Sequence, residues 1–184
     1  MEAVRPLAQA VTIDLKEGAP LMLISRNIHL SQPKQEELKK FIKEHSARGT
    51  IQLSKSPYAA TFFFIKKKNG KLRPVQDSRP VNAWTIRNKY PLPLILQQID
   101  HLRGCTLFTK FNIRWGYNTM QVKKGHEWKV AFTTNEGLFE PTVIFFGLIN
   151  SPTTFQSIIN TLFHTQIDSR ELIVYMDDMA MHTS

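Results

Sequence analysis

Hydrophobic and polar positions alternate between two periods along this chain. From Pro33 the spacing is helical: Leu38, Phe41, Ile42 and His45 share a face, Glu36 precedes Lys40 by four positions, and Gly49 follows as a stop. Residues 59–65 form an apolar, aromatic strand. Asn69-Gly70 then marks a two-residue hairpin turn, since a type I′ turn needs positive φ at both central positions. Lys71–Asp77 is the return strand, and Pro74 confines it to an edge or a bulge. Pro91 and Pro93 lead into a second helix, with Ile95, Leu96, Ile99 and Leu102 on one face and Gly104 as its stop. Residues 106–113 read as a strand, and 128–133 and 142–146 as two more. Ser151-Pro152 caps and opens a third helix, whose stripe of Phe155, Ile158, Ile159, Leu162 and Phe163 reads as core. Leu172–Met176 is a buried-looking strand that ends at Asp177-Asp178. Residues 1–30 carry no clear period and read as an irregular or strand-like lead-in. Strands and helices are interleaved with hairpins, so the fold class is α+β.

Composition narrows the class further. With 184 residues, 42% of them hydrophobic and 10% aromatic, the chain is ordinary globular material rather than a disordered segment. Its longest apolar stretch, 138–149, is interrupted by Glu140, Pro141 and Gly147, whereas a membrane-spanning helix needs about 20 apolar residues. The segment Met1–Leu7 has no basic cluster followed by an apolar core, so no secretory signal is expected. The single cysteine, Cys105, cannot form an internal disulfide, which suits an intracellular protein. The histidines are scattered and show no zinc-ligand spacing.

Charge is where the chain departs from the ordinary. Its formal net charge is +9. Between residues 55 and 89 stand Lys55, Lys66, Lys67, Lys68, Lys71, Arg73, Arg79, Arg87 and Lys89, with Asp77 the one acid among them. Nearly the whole excess therefore sits on and around one hairpin. That suits a polyanion such as nucleic acid or nucleotide phosphate; a solvated basic face is the plain alternative. Phe62, Phe63, Phe64 and Trp84 lie in the same window, where aromatic faces can stack on bases, although consecutive phenylalanines in a strand put at least one in the core.

The Asp177-Asp178 pair has two readings. Aspartates are common in turns. Two adjacent carboxylates at the end of a buried strand also repel each other, and a hard cation such as Mg²⁺ would compensate. Two carboxylates are too few for two cations; a third from a neighbouring strand would have to bridge them.

The surrounding sequence resembles a known family. Tyr175-Met176-Asp177-Asp178 is similar to motif C of reverse transcriptases. Residues 54–95 (SKSPYAATFFFIKKKNGKLRPVQDSRPVNAWTIRNKYPLPLI) resemble the fingers of gypsy-type long-terminal-repeat retrotransposon polymerases. FTKFNIRWGYN, residues 108–118, resembles their motif A, and FGLINSPTTFQ, residues 146–156, their motif B. The resemblance covers at least residues 33–184. It implies a right-hand polymerase fold with an antiparallel palm sheet packed on helices: a lead-in at 1–32, fingers with a basic β-hairpin at 33–104, and a partial palm at 105–184 that stops after motif C. It also implies RNA-directed DNA synthesis by two-metal nucleotidyl transfer from a dNTP to a primer 3′-hydroxyl. The implied cofactor is Mg²⁺, two ions. The implied partners are an RNA or DNA template–primer, a dNTP and the rest of a polyprotein.

Residue by residue, the resemblance gives Lys67 and Arg73 a phosphate role and Asp77 and Arg79 a role at the hairpin base and template. Tyr117 falls where an aromatic residue lies under the sugar. Phe146, Gly147 and Gln156 fall in the segment supporting the template base and nucleotide. Asp177 and Asp178 are the implied metal ligands, Asp177 the more direct. Two positions depart from the family. Asn112 stands where motif A has its metal-bridging Asp, and Phe145 where Pro usually precedes Phe-Gly-Leu. An amide is nearly isosteric with a carboxylate but neutral, with a single oxygen acceptor. Cation binding and transition-state electrostatics are weakened accordingly, so this copy is expected to be impaired. The alternatives are a catalytically silent nucleic-acid-binding remnant and a fragment of a decayed element.

Overall fold

A proline at the first turn suits a helix, because its fixed φ is already helical and its missing N–H has no partner to lose there. In the computed structural model, which describes residues 10–68, 70–113 and 116–183, a two-residue strand β1 (Leu23–Ile24) precedes α1 (Gln32–Ala47), with Pro33 in its first turn. α1 buries Leu38, Phe41 and His45, the face expected from the sequence. Strand β2 (Ile51–Leu53) follows. β3 (Tyr58–Lys66) then pairs antiparallel with β4 (Leu72–Gln76), placing Phe62 opposite Gln76 and Lys66 opposite Leu72. β4 has no second neighbour among the described strands, so Pro74 lies on an edge, where its missing N–H costs nothing. In the turn, Gly70 has a φ of +80°; Asn69 lies outside the described residues, as do residues 1–9 of the lead-in. Phe62 and Phe64 point into the core and Phe63 is half-buried.

Two helices come next, α2 (Arg79–Trp84) and α3 (Ile95–His101). The hydrophobic spacing carries no sign of α2. α3 forms where expected, but the apolar face assigned to it is not buried: Ile95, Leu96 and Ile99 are all exposed. α3 contacts the body through a polar group, the Gln98 amide donating to Val174 O at 2.8 Å.

The remaining elements are β5 (Leu107–Asn112), β6 (Phe132–Thr134), β7 (Gly137–Pro141), α4 (Ser151–Leu162), α5 (His164–Asp168), β8 (Leu172–Tyr175) and β9 (Asp178–Thr183). Three expectations need correction here. Residues 128–133 split into a 3₁₀ turn at 127–130 and the short β6. Residues 142–146 form no strand; the strand is β7, just before them, which closes a tight hairpin with Thr134 opposite Gly137. Val143 and Ile144 are apolar because they are buried, in a segment held by Ile144 N–H donating to Met120 O and Val122 N–H to Thr142 O. Finally, Asn150 rather than Ser151 occupies the position before α4, and Ser151 Oγ is buried with no partner among the described residues.

The strands form two sheets. One runs β1-β3-β6-β7-β2 with β4 paired to β3; the other is the antiparallel set β5-β9-β8. Two apolar clusters fill the fold. The first contains Val11, Tyr117, Met120, Ile144, Phe155, Ile158, Leu172 and Val174, so α4 covers the three-stranded sheet. The second gathers Leu38, Phe41, Phe62, Phe64, Phe132 and Phe139 under the larger sheet, with Phe145 packed against it. Phe145, the departure noted in motif B, thus serves as a packing residue, its ring 6.0 Å from Phe41 and 5.5 Å from His45. Each cluster draws residues from both sides of position 104. None of the described helices is long and apolar enough to cross a membrane.

Packing disfavours the protonated form of two histidines. Burial, then the charge of Arg48, lowers the pKa of His45 below the usual 6.5. Burial, then Lys129, lowers that of His126, whose Nδ1 accepts the Ile13 N–H at 2.9 Å and must stay unprotonated to do so. Their unfolded forms bind protons more readily, so stability is full above pH 6.5 and falls as pH drops below it. Each histidine contributes at most about 1.4 kcal/mol per pH unit. Denaturant midpoints between pH 7 and pH 5 should fall more steeply for the native chain than for His45→Phe; parallel profiles would contradict this assignment.

Candidate active site

The turn between β8 and β9 is built around one unusual backbone conformation. Met176 has a φ of +56°, a left-handed value that costs a side-chain-bearing residue energy unless its surroundings impose it. Gln156 on α4 imposes it: its wholly buried side chain accepts the Met176 N–H at 2.7 Å through Oε1. Its Nε2 donates to Asn160 Oδ1 at 2.9 Å and to Val174 O at 3.2 Å. Asn160 in turn donates to the Tyr90 hydroxyl at 2.8 Å. The chain therefore leaves β8 in a fixed direction, and Asp177 and Asp178 follow at the tip.

Register then decides what faces them. β5 pairs with β9 so that Asn112 stands directly opposite Asp178, and the Ile113 N–H donates to Asp177 O at 2.8 Å. The three positions singled out from sequence, Asn112, Asp177 and Asp178, thus meet at one end of the three-stranded sheet. Asn112 Nδ2 lies 3.3 Å from Asp178 Oδ1. The same oxygen takes an ion pair from Lys110 Nζ at 3.0 Å. Lys110, then Asn112, hold the Asp178 carboxyl below its usual range. Lys110 was not among the residues singled out. Its signal was the alternation of β5, which puts positions 110 and 112 on one face.

Tyr117 lies under this tip. It is buried, its hydroxyl 3.6 Å from Met176 Sδ. Burial, then the charge of Asp177, raises the pKa of its phenol. Its ring meets the exposed Phe146 edge-on at 4.9 Å and Phe155 at 5.3 Å.

Gly147 joins this region to the basic hairpin. Its φ of +116° disfavours any side chain, and an added Cβ would stand 3.1 Å from Ser78 Oγ and 3.5 Å from Gln76 O. Two asparagines complete the seam. Asn82 donates to Gly147 O at 2.8 Å and accepts the Ile149 N–H at 2.9 Å. Asn150 donates to Ile86 O at 2.8 Å and accepts the Asn88 N–H at 2.9 Å. Neither was expected from hydrophobic spacing, because both act on backbone far away in sequence.

Asp77 and Arg79, at the hairpin's base, bind each other. Arg79 Nε and Nη2 donate to the two oxygens of Asp77 at 2.8 and 2.7 Å, and the Arg79 N–H adds a third bond at 3.1 Å. This fork holds the Asp77 carboxyl below its usual range. Lys67 and Arg73 lie farther along the hairpin, exposed to solvent, Arg73 opposite Ile65.

Two divalent cations do not suit this donor set. Hard cations want shells of oxygen ligands. Position 112 turns an NH₂ donor toward Asp178, and the ammonium of Lys110 occupies the same oxygen. Among the described residues, no group of three or more His, Cys, Asp or Glu side chains is arranged to hold a metal ion. Two adjacent carboxylates, one already paired, fall short of the two-ion arrangement.

Comparison with known proteins gives one answer. A model of the reverse transcriptase (RNA-dependent DNA polymerase) family matches residues 65–184. The transposon Tf2-3 polyprotein of Schizosaccharomyces pombe (strain 972 / ATCC 24843) is 37% identical over 158 residues, 86% of this chain and 12% of its own length. The Tf2-7 polyprotein of the same yeast is 35% identical over the same extent. The chain thus spans about 12% of the length of these curated relatives. Among solved structures, a foamy viral protease-reverse transcriptase in complex with RNA/DNA hybrid matches with a TM-score of 0.81 at 19% identity, over 94% of this chain and 23% of that one. The same viral protein in complex with dsDNA matches with a TM-score of 0.77 at 19% identity, over 98% of this chain and 35% of that one. At such identity these likenesses carry the fold alone. The family match extends over well more than half of the chain, which therefore belongs to the reverse transcriptase (RNA-dependent DNA polymerase) family.

Proposed function

We propose that the chain is the fingers (33–104, after a lead-in at 1–32) and part of the palm (105–184) of a gypsy-type retrotransposon reverse transcriptase. It binds template–primer through its basic hairpin, and its polymerase activity is impaired by Asn112. The observation that carries this reading is the register placing Asn112 opposite Asp178, where an aspartate would join the two carboxylates. The relatives are transposon polyproteins, and the foamy viral structures hold RNA/DNA hybrid or dsDNA, which supports the choice of partner.

In this reading Lys67 and Arg73 meet the phosphates of the incoming nucleotide, from solvent-exposed positions on the turn and the return strand of the hairpin. Asp77 orients Arg79 toward the template. Tyr117, set under the Met176 turn and against Phe146, floors the sugar site. Gly147 lets the motif B loop pass close to the hairpin base, and Gln156 holds the aspartate turn. The family's cations would supply positive charge to the primer 3′-hydroxyl as it bonds to the α-phosphate of the nucleotide and to the pyrophosphate that departs from the opposite side. Because the donor set falls short of them, the residues here bind and orient substrates without completing that arrangement. A nucleic-acid-binding, catalytically silent domain is the second reading, favoured by the Lys110–Asp178 ion pair.

Primer extension on an RNA template with Mg²⁺ tests the first reading. The chain should show no extension above background, alone or fused to a family thumb. Asn112→Asp in the fused form should raise the rate by about 100-fold or more, the scale on which a misplaced catalytic group acts. Equal, robust extension with Asn112 in place would overturn the assignment. Binding is tested separately by salt dependence. Replacing Lys66, Lys67 and Lys68 with Gln should make the slope of log affinity against log salt shallower by roughly 1 to 3, near one for each phosphate no longer neutralised. An unchanged slope would place the nucleic-acid surface elsewhere.

A further inference from the structure

The acid–base layout at the β8–β9 tip carries a consequence beyond the missing motif A carboxylate. Lys110 and Asn112 project from the same face of β5, and both reach a single oxygen, Asp178 Oδ1, at 3.0 and 3.3 Å. Both bring donors. Two carboxylates and one ammonium leave the tip with one net negative charge, whereas three carboxylates and no ammonium would give it three. A divalent cation approaching Asp178 would meet a positive charge a few ångströms away and an oxygen whose lone pairs already accept two donors.

We propose that Lys110 is a resident counter-ion that competes with divalent cations for Asp178, so that the weak cation affinity of this site has two separate causes, Lys110 and Asn112. The inference rests on the reading that positions 112, 177 and 178 line a polymerase cleft. Both side chains of the ion pair are largely exposed, 73% for Lys110 and 55% for Asp178, so the ammonium can be displaced. It therefore acts as a competitor and not as a plug. Like charges held about 4 Å apart in water repel enough to shift a divalent ion's affinity by about tenfold, and salt screens part of that. Because exposed ion pairs contribute little to stability, Lys110 can be replaced without threatening the fold.

The test is Mn²⁺ binding, followed by the loss of the free-ion electron paramagnetic resonance signal, on the chain and five variants. Lys110→Met should tighten Mn²⁺ binding by about tenfold, and so should Asn112→Asp. The double variant should gain about a hundredfold, and adding Asp178→Asn to it should remove most of that gain. Lys110→Arg, which keeps the charge, should bind as weakly as the native chain. Should Lys110→Met stay within twofold of the native chain while Asn112→Asp tightens binding, Lys110 is no competitor and the polymerase reading survives alone. Should neither substitution tighten binding, the carboxylate pair is no cation cleft, and both conclusions fall together. Thermal melts of every variant should coincide within a few degrees, which separates a change in binding from a change in folding.

Discussion

One buried amide governs this molecule. Gln156 lies beneath the β8–β9 turn and accepts the N–H of Met176, the residue whose left-handed backbone would otherwise relax. A buried polar group is stable only when its hydrogen-bonding capacity is met, and this one is met on three sides: by Met176, by Val174 and by Asn160. Because the turn is fixed, β9 starts in a fixed register, and the register sets Asn112 opposite Asp178. The chemistry at the tip follows from packing one layer below it.

A second constraint joins the two halves of the fold. The segment around the motif B loop and the segment running from β4 through α2 to Tyr90 are tied by backbone-directed asparagines, Asn82 and Asn150, and by the close approach of Gly147 to Ser78. Side-chain amides suit this task, since each offers a donor and an acceptor and can satisfy two backbone groups of a partner loop at once. The basic hairpin is thus anchored at its base to the loop beside Tyr117, while its lysines reach into solvent. Charge is paired locally on each side, Asp77 with Arg79 at the base of the hairpin and Asp178 with Lys110 at the turn.

Much of this could be read from the sequence, for reasons that differ by element. α1 was legible because Pro33, its apolar face and Gly49 agree. The β3–β4 hairpin was legible because glycine in the turn and proline in the return strand each permit only a narrow placement. The motif residues came from resemblance rather than periodicity. β7 was missed because Gly137, Glu140 and Pro141 read as loop, while the neighbouring Val143 and Ile144 are apolar for burial in irregular backbone and imitate a strand. The face of α3 misled in the other direction, its apolar residues being exposed. At the site, Asn112, Asp177 and Asp178 could be grouped in advance. Asn82 and Asn150 could not, because their partners are distant backbone groups and nothing in local spacing announces such contacts, whereas Lys110 was missed although strand alternation puts it on the face of Asn112.

The site at the β8–β9 tip depends above all on the register between β5 and β9. A direct measurement is disulfide trapping: Asn112→Cys with Asp178→Cys, in a Cys105→Ser background, oxidised in dilute solution and read by mass spectrometry of proteolytic fragments. Residues paired across neighbouring strands lie within the Cα separation that a disulfide spans, about 4.4–6.8 Å. The predicted result is a single intramolecular 112–178 cross-link, with a Lys110→Cys, Asp178→Cys control linking less completely. Free thiols after oxidation, or a stronger cross-link from position 110 than from 112, would contradict the register and the site built on it.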